Sequence, residues 1–272
     1  MNRAGRGILE LSQVAGHTAV TRAQANSPLR LLNPRGANGS AWVFTSTFGG
    51  GLVAGDDVDL DILARAGTTT LLSTQASTKV YRACDGRTAR QAMRATIEPG
   101  AVLAILPDPV SCFAGAHYEQ RQRFDLDPSG TLVLVDWLNA GRAARGERWG
   151  FARYASRNDV HVGGRHVLAD ALVLDPADGP IDAPHRMGPY ECLALLLLVG
   201  PAVADAAARV LETVAAEPVH RGTDLVVSAS PLAGGVLLRA AGRTTELVAR
   251  YLRDRLDFIT PVLGDDPFRR KW

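Results

Sequence analysis

Apolar and polar residues alternate with period two over residues 57–63, which puts Val58, Leu60 and Ile62 on one face and Asp57, Asp59 and Asp61 on the other. A period of two predicts a β-strand with one buried face, and one-sided strands of this kind are usually antiparallel. Comparable segments bounded by Gly, Pro or Asp recur at 41–47, 68–74, 101–106, 118–126, 131–138, 148–156 and 167–174. Strands that follow one another with no helix between them predict an all-β core for this part of the chain.

The pattern changes only late. Residues 201–217, PAVADAAARVLETVAAE, are rich in strong helix formers, carry Pro at the first turn and stop just before Pro218. Residues 244–258 offer Thr244 as a cap, Glu246 in the first turn, and Leu247, Val248, Tyr251, Leu252 and Leu256 at helical spacing. Between them, 225–230 and 235–239 predict a hairpin that turns at 231–234. The expected fold is therefore mainly β, with two α-helices in the C-terminal third covering an open end of the sheet. Residues 175–189 are dense in Pro, Gly and Asp and look like a linker, but strand signals resume beyond them. One domain spanning residues 1–272 is expected.

Composition narrows the partners. The 272 residues carry 30 basic and 28 acidic side chains, a formal charge of +2. That near-balance provides no field to gather nucleic acid. Cys84, Cys112 and Cys192 are odd in number and lack paired spacing, so no disulfide framework is expected and a reducing compartment fits. The amino terminus has no signal-type apolar run, and the longest apolar stretch, 193–199, is far too short for a bilayer. A cytoplasmic protein with no membrane partner is the expectation.

Three segments could carry chemistry. FGGGLVAGDD at 48–57 lacks the Lys-Ser/Thr of a phosphate-binding loop and runs into a strand, so Gly49, Gly50 and Gly51 read as a turn or bulge. STQASTKVYR at 73–82 crowds hydroxyls and an amide beside Lys79, Tyr81 and Arg82, which suits a polar buried network, a partner-facing patch or a solvated strand edge. In DWLNAGRAARGE at 136–147, Asp136 and Glu147 bracket Arg142 and Arg145. Such charges usually pair in a turn, although two carboxylates also suit acid–base catalysis or a metal. His161 and His166, five apart on one regular strand, would face opposite ways unless Gly163 and Gly164 introduced a bulge. His117, His185 and His220 stand alone, Cys112 reads as a small buried side chain or a soft ligand, and no Cys-x-x-Cys, His-Glu-x-x-His or Gly-x-Ser-x-Gly occurs.

Taken together, SPLRLLNP (27–34), GGGLVAGD (49–56), LSTQASTKVYR (72–82), LPDPVSCFAGAHY (106–118) and DWLNAGRAARGERW (136–149) resemble, in order, the motifs of the UreD family (UreH in some systems), accessory proteins of urease maturation. The tail from Arg250 to Trp272 is similar to the family's closing helix and terminal segment. The resemblance implies a non-enzymatic scaffold with a β-helix-like or stacked-sheet body and two helices. It also implies binding to UreF, which recruits the GTPase UreG, and docking of the assembly on apo-urease. No cofactor would be permanently bound; nickel would be in transit through an internal polar channel.

A cation that must be handed on needs donors that release it, and carboxylates, hydroxyls and amides at successive positions do so better than a thiolate cage. By match to the family motifs the conduit candidates are Asp56, Ser73, Gln75, Ser77, Lys79 and Glu147; Asp136 is added, although many relatives carry the longer Glu before the Gly-Arg motif. Tyr251 and Leu252 of the last helix, with Phe268, Arg269, Arg270 and Trp272, are the candidate partner contacts, since Trp and Arg anchor interfaces. Against this, Tyr251, Leu252 and Leu256 could simply cap the sheet. Two other functions stay open: an all-β enzyme using Asp136 and Glu147 on a sugar or phosphate, and a docking module that conducts no ion.

Overall fold

The alternation at 57–63 belongs to a stack of coils, not to a run of hairpins. The computed structural model describes residues 5–34, 39–220 and 222–269. In chain order its strands are β1 (Arg6–Val14), β2 (His17–Ala25), β3 (Leu29–Leu32), β4 (Ala41–Thr47), β5 (Asp57–Ala64), β6 (Thr69–Thr74), β7 (Lys79–Val80), β8 (Ala89–Ile97) and β9 (Val102–Ile105). They continue with β10 (Val110–Cys112), β11 (His117–Leu126), β12 (Thr131–Asn139), β13 (Arg153–Val162), β14 (Arg165–Leu174), β15 (Cys192–Val199), β16 (Leu225–Leu232) and β17 (Gly235–Gly242). The helices are α1 (Ala204–Ala216), α2 (Thr245–Arg255) and α3 (Ile259–Leu263).

Two sheets result, ordered β14-β13-β11-β8-β5-β1-β2 and β16-β17-β15-β12-β9-β6-β4-β3, with β7 and β10 continuing a short ladder from the end of β12. From β5 to β13 each coil lays one strand in the first sheet and the next in the second, so β5, β8, β11 and β13 are parallel neighbours, as are β6, β9 and β12. The strand at 57–64 is thus parallel to both β1 and β8, which corrects the antiparallel expectation. A parallel pair needs a crossover, and a helical crossover would cover the sheet. Here the crossover is a strand of the opposite sheet, so the first sheet keeps a solvated outer face and an alternating sequence.

Three layers follow. The inner faces of the two sheets enclose one core, including Leu9, Ile62, Phe124, Leu103, Leu134 and Leu197. The far face of the second sheet, with Val133, Leu196 and Leu238, is covered by Ala206 and Val210 of α1, Val248 and Leu252 of α2, and Ile259 and Leu263 of α3. Because the second sheet is buried on both faces, β15 reads CLALLLLV and shows no alternation. Ile181 and Met187, from the linker-like segment, pack into the core between the sheets.

Several boundaries shift. Thr244 caps α2 through Leu247 N (3.2 Å), as expected, but α2 ends at Arg255 and a third, five-residue helix, α3, follows. The strand expected at 148–156 begins only at Arg153, because Trp149 adopts φ 53° in a turn and its indole N–H donates to Tyr190 O (3.0 Å).

Candidate functional site

In a coiled stack, residues at equivalent positions of successive strands line up in rows across the sheet. One row on the inner face of the first sheet is Val58–Gln91–Gln120–Ser156, and the next is Met93–Gln122–Asn158–Asp170. Opposite them, the second sheet presents the row Asp136–Leu195–Arg239–Ser228. Positions that elsewhere in these strands are apolar are thus occupied by amides, hydroxyls and charges, and they meet as a polar seam between the sheets.

Burial forces these groups onto one another. Gln120 Nε2 donates to Asp136 Oδ1 (2.9 Å) and Asn158 Nδ2 to Asp136 Oδ2 (2.8 Å), while Gln122 Nε2 donates to Asn158 Oδ1 (3.0 Å). Tyr118 Oη lies 2.9 Å from Gln91 Oε1 and 3.1 Å from Gln120 Oε1. Asp136 has amide donors but, among the described residues, no cationic partner. Burial raises its carboxyl above the usual carboxylate range, the two amide hydrogen bonds oppose that shift, and Asp170 nearby adds to it.

The seam is hollow. A cavity of about 190 Å³ is lined by Thr45, Thr74, Gln75, Ser77, Lys79 and Gln91, among others. Beside it a small one of about 40 Å³ shares Thr45, Thr74, Thr78 and Gln91 and reaches Asp136. A third, of about 390 Å³, begins at Asp136 and continues past Tyr154 and Ser156 to Asp170, Arg239 and Ser228. The three adjoin in sequence across the strands, with Asp136 at the junction of the second and third. Such an arrangement offers oxygen donors at successive positions.

Of the residues singled out from sequence, Ser73, Gln75, Ser77, Lys79 and Asp136 line these cavities. Ser73 is buried and its hydroxyl donates to Leu106 O, whereas Gln75 and Lys79 are exposed. Asp56 and Glu147 line none of the three. The Asp56 carboxylate accepts Val53 N (2.8 Å) and closes the Gly-rich turn, where Gly49 and Gly50 have positive φ. At Gly51 a Cβ would stand 2.7 Å from Lys79 O, so that turn needs close backbone approach.

Glu147 is gripped by Arg142: Nε donates to Oε2 (2.9 Å) and Nη2 to Oε1, while Ala114 N also donates to Oε2 (3.2 Å). These contacts hold its carboxyl below the usual range, the Arg142 hydrogen bond foremost. Glu147 therefore ties two loops together. Asp136 and Glu147 share none of the three cavities, and the Glu147 carboxylate is taken up by Arg142, which counts against their acting as an acid–base pair.

The family model described as "UreD urease accessory protein" matches residues 3–272. The chain belongs to the UreD family of urease accessory proteins. A "Urease accessory protein UreD" of Sorangium cellulosum is 50% identical over 271 residues, covering 99% of this chain and 85% of the relative. One from an Anaeromyxobacter strain is 48% identical over 268 residues, covering 98% and 90%. The "Urease accessory protein D" of Arabidopsis thaliana is 32% identical over 290 residues, covering 96% and 99%. This family membership gives the chain a role in urease maturation.

In this UreD-family chain the expected partner contacts divide. Leu252, expected at a partner surface, is only 3% exposed and packs against the second sheet, as in the capping alternative. Tyr251 is half-buried with the Arg255 guanidinium 4.3 Å over its ring, and Phe268 packs on the helix layer beside Arg253. Arg269 is exposed; Arg270 and Trp272 lie outside the described residues.

His161 and His166 are not on one strand. They face each other across the β13–β14 hairpin, whose turn is Gly163 and Gly164, with rings stacked 4.6 Å apart. Among the described residues no set of three or more His, Cys, Asp or Glu side chains could hold a metal ion, and no helix is long and apolar enough to cross a membrane.

Sequence reasoning missed Gln91, Gln120, Gln122, Asn158, Asp170 and Arg239. The available signal was in β11, HYEQRQRFDL, where Gln120 and Gln122 occupy the buried positions of the alternation.

Proposed function

We propose that this protein is the scaffold of a nickel-insertion complex that links UreF and UreG to apo-urease and passes nickel between its two sheets toward the urease active site, without catalysing a reaction itself. One observation carries the reading: three adjoining cavities cross the inter-sheet gap, and two of them meet at Asp136, a half-buried carboxylate held by neutral amides. A carboxylate without a fixed counter-cation attracts a divalent ion, and flanking amides and hydroxyls let the ion leave again. Lys79, Gln75 and Ser77 mark one end of the route and Ser228 the other, with Ser73 and Asp136 between them. Asp56 and Glu147 support the route by fixing the loops around it. Arg269 and Phe268, at the end of the helix layer, are the partner contacts that remain from the sequence reading, with Tyr251 half-accessible beside them.

The test is co-expression of urease with its accessory proteins, comparing wild type with Asp136→Ala. Urease nickel content should fall by about tenfold or more while the accessory complex still co-purifies. Unchanged nickel content would overturn conduction and leave a docking module.

A further inference from the structure

The cavity that runs from Asp136 to Ser228 contains a cation already. Arg239 projects from β17 into the gap on the same face as Leu237, and its Nη2 donates to Asp170 Oδ1 of β14 (2.5 Å). The two residues belong to different sheets, so the pair bridges the cavity near the edge strands β14 and β16. A fixed positive charge on a route for positive ions is an obstacle: it repels a cation and it occupies an oxygen that the cation needs. Burial cannot explain the pair either, because half of the arginine side chain is exposed while Asp170 is largely covered at 14%. The guanidinium side of the pair is open to water, whereas the carboxylate side depends on a cation for its compensation.

We propose that Arg239 is a charge plug for this cavity: its guanidinium holds the place on Asp170 that a divalent cation reaching Asp136 would take, and metal passes by displacing it. This rests on the conduit reading and adds regulation to it. Asp136 and Asp170 both line this cavity and interact electrostatically, so a dication between them would satisfy two carboxylates where the arginine satisfies one. Monovalent ions lack that advantage, and the plug therefore also selects by charge. The released guanidinium can swing outward, since its stem already reaches solvent.

The test measures nickel binding to the full-length protein in its accessory complex by equilibrium dialysis, with sodium and magnesium as competitors. Arg239→Gln should tighten nickel binding about tenfold and reduce its preference over sodium, Arg239→Lys should lie between it and wild type, and Asp170→Asn should weaken binding. Nickel binding in Arg239→Gln equal to or weaker than wild type, in a protein whose melting curve is unchanged, would overturn the plug. If Arg239→Gln does not fold, Arg239→Lys decides alone, and unaltered affinity and selectivity in it count against the proposal. Failure of the underlying reading looks different: urease nickel content would then be insensitive to Asp136→Ala whatever Arg239 does.

Discussion

The two faces of the first sheet use the same strands and nearly the same residue types to opposite ends. On the outer face, Arg94 reaches Asp59 (2.7 Å) and Asp61 (2.8 Å), Arg123 pairs with Asp125 (2.9 Å), and Arg157 with Asp159 (2.6 Å). Every one of these carboxylates has a guanidinium beside it. On the inner face, one residue away along the same strands, Gln120, Gln122 and Asn158 offer neutral amides, and the carboxylate they hold, Asp136, has no guanidinium. The outer face is neutralised and solvated, as an open sheet face must be if it is not to attract another chain. The gap they face retains, on β12 of the second sheet, a carboxylate with no cationic partner among the described residues, held at a desolvation cost by neutral amides.

The comparison breaks most sharply at Asn158. This side chain is fully buried, donates to Asp136 and accepts from Gln122. Asn158→Leu leaves Asp136 short of a donor and orphans the Gln122 amide. The expected loss is about 2–3 kcal/mol of stability, measured by urea unfolding. A loss below about 1 kcal/mol would mean that the inner network is no tighter than the outer one.

A second effect concerns sign. Burial raises the Asp136 carboxyl in the folded chain, so the native state binds this proton more readily than the unfolded state does. Its contribution to stability therefore falls as pH rises from its ordinary value, 3.8, through the raised one. Asp125 and Asp159, lowered by Arg123 and Arg157, act the other way: the stability they add is present above the unfolded value and is lost on acidification. Melting curves of wild type and Asp136→Asn between pH 4 and pH 7 (about the range these shifts address) should diverge, with the variant gaining on wild type as pH rises. Parallel curves would show that Asp136 pays no burial cost.

Legibility from sequence follows the same division. The strand at 57–64 and the Thr244 cap were readable because each is local: a period of two, or a hydroxyl three residues before an amide it accepts. The Arg142–Glu147 pair, five residues apart, was readable for that reason too. Parallel pairing was not, because an alternating strand looks the same whether its neighbour arrives through a hairpin or through a coil of the other sheet. Nor was the partnership of Asp170 with Arg239, 69 residues apart, or that of Gln120 and Asn158 with Asp136, since register across coils brings them together. Asp136 itself stood out through the family motif and as one of two carboxylates around Arg142 and Arg145, not through the amides that hold it. Its carboxylate is chemically no different from Asp59, and only the face it occupies separates them.

The smallest effect is expected on the outer face, and it is the control that gives the others meaning. Arg94 is the most connected outer residue, bonded to both Asp59 and Asp61 with half of its side chain exposed. Removing it by Arg94→Ala leaves two neighbouring carboxylates that water can solvate and that Arg6, 3.3 Å from Asp61, still partly balances. Screening limits the expected cost to less than about 1 kcal/mol, shrinking further as salt is raised. Urea unfolding at low and high salt measures it. A cost as large as that of Asn158→Leu, or one insensitive to salt, would show that the outer pairs are desolvated like the seam, and the distinction between a solvated face and a prepared interior would collapse.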